Sequence, residues 1–177
     1  MDWILIRHGI AVEQDEWEGT DENRPLTERG KKRVRQAAAG LAALGCRPTH
    51  LFTSPFVRAY DTARLLRTVV CPGLKVETRE ELAVGANPEQ LVSILQALPS
   101  DAVVLCVGHE PFLGEVASLV LCGHVLPNFP FKKAGPLVSE AEGKGRAGQC
   151  RLRWWLPPMQ LRVLGKRARM TRQREPS

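Results

Sequence analysis

The residues best equipped for chemistry in this 177-residue chain are two histidines and two arginines placed beside turn-forming residues. His8 lies between Arg7 and Gly9 at the end of a short apolar run, Trp3 to Ile6. His109 follows Gly108 at the end of a second run, Ala102 to Val107. Arg58 comes soon after Ser54-Pro55, which closes a third run, Thr49 to Thr53. Two arginines and two histidines with no acid in the motif would make an anion pocket, because the planar guanidinium fork fits phosphoryl oxygens two at a time. A neutral imidazole in such a pocket can attack phosphorus, and the phosphoryl-imidazole bond later yields to water. The arginines and the second histidine would stabilise charge on the equatorial oxygens. Each residue also has a bland reading: a histidine beside glycine is commonly a turn residue, Arg58 a helix-surface residue, His109 a satisfied core histidine.

What would bring the four together is the order of elements. Strand-like runs alternate with helical patterns, which indicates an α/β fold with a mostly parallel sheet. Parallel strands deliver their carboxyl ends to one edge, where ligands bind in such sheets. Between the first and second runs, Glu13 to Asn23 reads as a polar loop over the strand end. Thr27 then caps a helix carrying Val34, Ala37, Ala38, Leu41 and Leu44, with Gly45 as its stop. Ser54-Pro55 reads as the cap and first position of a helix with Phe56, Ala59, Ala63, Leu66 and Val70 on one stripe. A short strand is expected over Leu74 to Glu77. A capping box, Asn87-Pro88 with Gln90, opens the next helix, and Pro111 opens another. Ala134 to Ser139 and Arg151 to Leu156 read as an antiparallel hairpin at the sheet edge, joined by a turn rich in glycine (Gly143, Gly145, Gly148). In a strand, Trp154 and Trp155 point to opposite sides, so one is expected in the core and the other at a partner surface.

The bulk numbers bound the remaining possibilities. The length suits one domain, expected over residues 1–164, with no internal repeat. The formal charge is +6, yet Arg162 to Ser177 holds six basic residues and one acid, which leaves 19 basic and 18 acidic residues elsewhere. The basicity therefore belongs to the end of the chain, and residues 165–177 read as a basic, disordered tail. That tail lacks aromatic residues to stack on bases, which argues against nucleic acid as a partner. No apolar run is long enough for a membrane span, and no secretory leader precedes the first strand. Five widely spaced cysteines, with no Cys-x-x-Cys pair, suit reduced thiols in a cytoplasmic protein. No metal-ligand spacing is present.

Four segments then carry a resemblance. Ile6-Arg7-His8-Gly9, Arg24-Pro25-Leu26-Thr27-Glu28-Arg29-Gly30, Thr53-Ser54-Pro55-Phe56-Val57-Arg58-Ala59 and Val107-Gly108-His109-Glu110-Pro111 occur in the order and near the spacing of the histidine phosphatase (phosphoglycerate mutase-like) superfamily. From Met1 to about Leu164 the chain most resembles the short SixA-like phosphohistidine phosphatases of that superfamily. The resemblance implies His8 as the phosphorylated nucleophile and Arg7, Arg58 and His109 as phosphate ligands, with Arg7 also holding His8. It implies a three-layer, doubly wound α/β sheet with the pocket at the strand ends, a phosphohistidine-bearing protein as substrate, and neither metal nor organic cofactor.

One departure narrows the chemistry. Many superfamily members carry a glutamate, as general acid for an alcohol leaving group, where this chain has Val84 in Glu81-Leu82-Ala83-Val84-Gly85. An alkoxide needs a proton to leave, whereas the imidazole of a phosphohistidine departs far more readily. The missing acid favours a phosphoramidate substrate, with Glu80, Glu81 and Glu110 as candidates for a displaced acid. Two alternatives stand beside this expectation: a small-molecule phosphomonoesterase of the same fold, and a non-catalytic binding module using the basic tail.

Overall fold

A computed structural model describes residues 1–141 and 145–172. Six strands form one sheet: β1 (Asp2–Arg7), β2 (His50–Thr53), β3 (Glu77–Thr78), β4 (Val103–Gly108), β5 (Pro136–Ala141) and β6 (Cys150–Trp155). Their spatial order is β3-β2-β4-β1-β5-β6. The first four are mutually parallel, while β5 runs antiparallel to β1 and forms the hairpin with β6. The expected mostly parallel sheet with a late antiparallel hairpin is thus observed. Gly143 of the expected hairpin turn lies outside the described residues.

Helices cover both faces, which is why the strands read as unbroken apolar runs rather than alternating ones. Alternate residues of β1 point to opposite layers. Ile4 and Ile6 join the layer of α1 (Glu28–Ala43), α2 (Val57–Val70) and α5 (Pro158–Arg172). Trp3 and Leu5 join the layer of α3 (Pro88–Gln96) and α4 (Phe112–Cys122). Because both faces are covered, both tryptophans of β6 find a core: Trp154 packs in the first layer and Trp155 in the second. The expectation that one of them faces a partner is corrected by this.

Local signals place most helix ends. Thr27 accepts the Gly30 amide as N-cap of α1, and Gly45, at φ +77°, follows its end. Asn87 caps α3 through the Glu89 amide, so the capping box with Gln90 does not form. Helix α2 starts at Val57, after an irregular turn in which Ser54 Oγ accepts the Phe56 amide, and not directly at Pro55. The expected strand over Leu74 to Glu77 shrinks to β3, since Leu74 still belongs to the turn closed on the Cys71 carbonyl.

The segment read as a disordered tail is helical as far as Arg172, and residues 173–177 lie outside the described residues. The physical reason is close packing that no local pattern announces. Leu161 is fully buried, and a Cβ on Gly40 would sit 2.1 Å from its carbonyl oxygen. Gly165 crosses the same spot: its Cβ would come within 2.7 Å of the Gly40 amide. Two glycines thus let α1 and α5 touch backbone to backbone. Among the described residues no helix is long and apolar enough to cross a membrane.

Candidate active site

Three adjacent strands end together and carry the site. The ladder continues one residue past β1 and β2, with the His8 amide on the Gly108 carbonyl and the Ser54 amide on the Val107 carbonyl, each at 3.0 Å. This puts His8, Ser54 and His109 side by side at the carboxyl edge of the parallel strands. Arg58 reaches the same point from the first turn of α2. The structure thus brings together His8, Arg58 and His109, all three buried, with Arg7 at the end of β1.

The geometry sets the proton positions on His8. Its Nδ1 lies 2.7 Å from the Gly9 carbonyl oxygen, which can only accept, so Nδ1 carries the hydrogen. Nε2 then holds the free lone pair, and the Arg58 Nε–H donates to it at 3.3 Å. Burial, followed by the neighbouring His109 and the two arginines, pushes the His8 pKa down to about 2, against the opposing pull of the Gly9 carbonyl. His8 is therefore a neutral imidazole whose Nε2 lone pair faces a guanidinium.

His109 sits 5.1 Å from His8 between ring centroids and 5.0 Å from Phe56, which meets it edge-on. Its Nε2 lies 2.8 Å from Ser54 Oγ, while Nδ1 is buried with no protein partner. Ser54 Oγ accepts from Phe56 N and keeps both its own hydrogen and a second lone pair, so the contact with Nε2 forms with either tautomer of His109. Burial and then Arg58 hold its pKa down, to about 3.

Arg7 donates from Nη1 to the Phe131 carbonyl at 3.0 Å, and its Nε is buried without a partner. Burial lowers its pKa while the charge of Glu110 raises it. The Glu110 carboxyl is itself pushed up to about 7 by burial, against the amides of Phe131 and Gly114 and the charge of Arg7. Glu110 therefore sits near Arg7 with its Oε1 buried and without a hydrogen-bond partner among the described residues. The backbone of the first strand end is held from the same loop: the Ala134 amide donates to the carbonyls of Arg7 and His8 at 2.9 and 3.2 Å.

Sequence reasoning missed several residues here. Asp21 closes on Arg58, with Nη2–Oδ2 at 2.9 Å and Nη1 on the Asp21 carbonyl at 2.6 Å. Arg24 holds the other carboxylate oxygen at 2.7 Å. The loop from Glu13 to Asn23 is thus partly ordered as 3-10 turns, Gln14–Glu16 and Asp21–Asn23, and supplies an acid to the anion pocket. Thr62 Oγ1 donates to the Arg58 carbonyl at 2.7 Å and accepts the Gly9 amide at 3.0 Å, so it pins the two motifs together. The Asp-Glu-Asn-Arg-Pro string held a signal for Asp21, an Asp three residues before an Arg in a turn; nothing local marked Thr62. Of the other candidate acids, Glu80 is exposed and Glu81 half-buried in the turn Glu80–Leu82, and Val84 is half-exposed. Lys133 pairs with Glu13 at 3.6 Å at the rim.

A profile of the histidine phosphatase superfamily (branch 1) matches residues 3–83. An uncharacterized protein of Picosynechococcus sp. is 33% identical over 138 residues, 76% of this chain and 82% of that protein. The phosphohistidine phosphatase SixA of Escherichia coli (strain K12) is 25% identical over 165 residues, 92% of this chain and 98% of that protein. Among solved structures, the protein histidine phosphatase SixA complexed with tungstate shares the fold with a TM-score of 0.80 at 24% identity, covering 91% of this chain and 99% of the other. The strand-end cluster, the sequence profile and the shared architecture agree, and the chain belongs to the histidine phosphatase superfamily, as a SixA-like member.

Proposed function

We propose that this chain, a phosphatase by family, removes the phosphoryl group from phosphohistidine on a protein through a covalent phospho-His8 intermediate. The observation that carries the reading is the neutral His8 ring, with Nδ1–H held by Gly9 and the Nε2 lone pair beside Arg58. In the first step the Nε2 lone pair forms a bond to phosphorus as the bond to the substrate imidazole breaks, and the departing ring takes up a proton from solvent. Water then attacks phospho-His8, which releases inorganic phosphate and returns the neutral imidazole. Arg7, Arg58 and His109 hold the phosphoryl oxygens through both steps. The name of the E. coli relative and the non-titrating Val84 both support phosphohistidine as the substrate. Five unpaired cysteines are in keeping with a reducing, cytoplasmic setting.

A single feature favours a phosphomonoester instead. Glu110, with its pKa raised to about 7, could hold a proton for an alcohol leaving group near Arg7. A substrate panel decides between the two: free phosphohistidine and a phosphohistidine protein against sugar and nucleotide phosphates, on wild type and Glu110→Gln. The proposed function expects turnover of phosphohistidine, with the glutamine variant close to wild type. Preferred turnover of the esters, lost in Glu110→Gln, would reverse the assignment.

A further inference from the structure

Asp21 bonds to Arg58 in a manner that a loop anchor does not need. Arg24 alone would fix the loop, since its Nε and Nη2 both reach Asp21 Oδ1, at 2.9 and 2.7 Å. The second oxygen, Oδ2, and the main-chain carbonyl are both committed to Arg58. They occupy the end of the guanidinium, Nη1 and Nη2, and leave its side edge, Nε and the second Nη2 hydrogen, along His8 Nε2. That side edge is a parallel pair of donors suited to two phosphoryl oxygens.

We infer that Asp21 is a positioning residue: it holds the end of Arg58 so that the side edge meets the phosphoryl group at His8. The inference rests on the phospho-His8 reading. Three features support it. Arg58 is only 3% exposed, and a buried guanidinium is stable only with partners, which Asp21 and the Phe56 ring, 5.0 Å from the guanidinium carbon, provide. Burial opposes ionisation of Asp21, but the hydrogen bonds of Arg24 and Arg58 outweigh it and keep the group anionic. Arg24 offsets the negative charge that Asp21 brings to an anion pocket, so the three groups together remain positive. Because Asp21 grips the end and not the side edge, it does not compete with phosphate for the donors facing His8. Helix α2 alone would leave the long Arg58 side chain several rotamers; the two bonds to Asp21 select one.

The test compares wild type, Asp21→Ala, Asp21→Asn and Arg24→Gln, with free phosphohistidine as substrate and inorganic phosphate as competitive inhibitor. Thermal unfolding of each variant is measured alongside. The expected result for Asp21→Ala is a kcat lowered about 10–100-fold, the usual cost of losing a group that orients a ligand-binding side chain, with KM within about threefold. Its melting temperature falls, because buried Arg58 loses its carboxylate partner, but the variant stays folded at the assay temperature, and added formate restores part of the rate. Asp21→Asn, which keeps one oxygen for Arg58, falls between, and Arg24→Gln loses least. A kcat within twofold of wild type would overturn the inference. So would tighter phosphate inhibition with a raised kcat/KM, because Asp21 would then be an internal competitor. A rate loss that tracks a collapse in melting temperature, without rescue by formate, would reduce Asp21 to a structural role and equally overturn it. The variants are also run on p-nitrophenyl phosphate: a wild type idle on phosphohistidine but active on the ester sinks the substrate assignment while the Asp21 comparison stays readable.

Discussion

Arg58 Nε lies 3.3 Å from His8 Nε2, on the one ring nitrogen that carries no hydrogen. A cation beside a free lone pair keeps the imidazole neutral and, in the mechanism proposed above, marks where negative oxygens sit once the nitrogen attacks. In that mechanism the same contact must be exchanged, because Nε2 cannot both accept from Arg58 and bond to phosphorus. The guanidinium donor then passes to a phosphoryl oxygen.

His8→Ala removes the nitrogen proposed to attack phosphorus. Turnover is expected to fall by roughly a thousandfold or more, since losing a nucleophile removes the covalent path entirely. Rapid acid-free quenching of wild type with labelled substrate traps an alkali-stable phosphate on His8. Wild-type turnover with no trapped label would sink the covalent route.

Ser54→Ala leaves His109 in place but frees its Nε2, 2.8 Å from the lost hydroxyl. The ring can then rotate or change tautomer. A drop in kcat of about tenfold is expected, the equivalent of one neutral hydrogen bond. Steady-state kinetics check it; an unchanged rate would mean that Ser54 does not orient the ring.

The pH dependence of stability follows from three shifted groups. His8 and His109 have folded pKa values of about 2 and about 3, below their unfolded values, so their contribution is complete above about pH 6.5. It is lost as pH falls toward those folded values. Glu110, raised to about 7, works the other way: its contribution is present below about pH 4.5 and is lost as pH rises through 7. Between about pH 4.5 and 6.5 two groups outweigh one, and unfolding free energy from these sites should rise with pH. Denaturant titrations of wild type, His109→Gln and Glu110→Gln measure the slope, which should flatten in the first variant and steepen in the second. The reverse pattern would refute the assigned protonation states.

Gly40→Ala tests the α1–α5 contact. The added methyl would stand 2.1 Å from the Leu161 carbonyl oxygen, part of a backbone that cannot rotate away. A loss of about 1–3 kcal/mol or more is expected from overpacking, with the active-site geometry spared in the fraction that remains folded. Urea unfolding gives the loss and the kcat of the folded variant gives the sparing. Wild-type stability would mean that α5 can shift at no cost.

Much of this arrangement is written locally. The apolar runs ending in Arg7-His8-Gly9, Thr53-Ser54 and Gly108-His109 specify buried parallel strands, and parallel strands must end at one edge. That rule of connectivity is why His8, Ser54 and His109 are legible as neighbours although 46 and 101 residues separate the later two from the first. Thr27 and Gly45 likewise announce the ends of α1 through their own backbone chemistry.

Other features depend on partners distant in sequence. Asp21 reads as one acid among several in a polar loop, and only the folded chain places both its carboxylate and its carbonyl on Arg58, 37 residues on. Thr62 looks like an ordinary helix residue until Gly9 approaches it. Arg162 to Arg172 reads as a solvated tail by charge, but Gly40 and Gly165 permit a backbone contact that turns it into a helix. The sequence by itself determined the mostly parallel sheet and the four strand-end and helix-start residues, because periodicity and turn chemistry act over a few residues, and it carried the family through the resemblance of four motif segments. Only tertiary structure decided which nitrogen of His8 is free, how Arg58 is aimed and where the chain's last helix lies, because hydrogen bonds between remote groups and close packing of backbones leave no local signature.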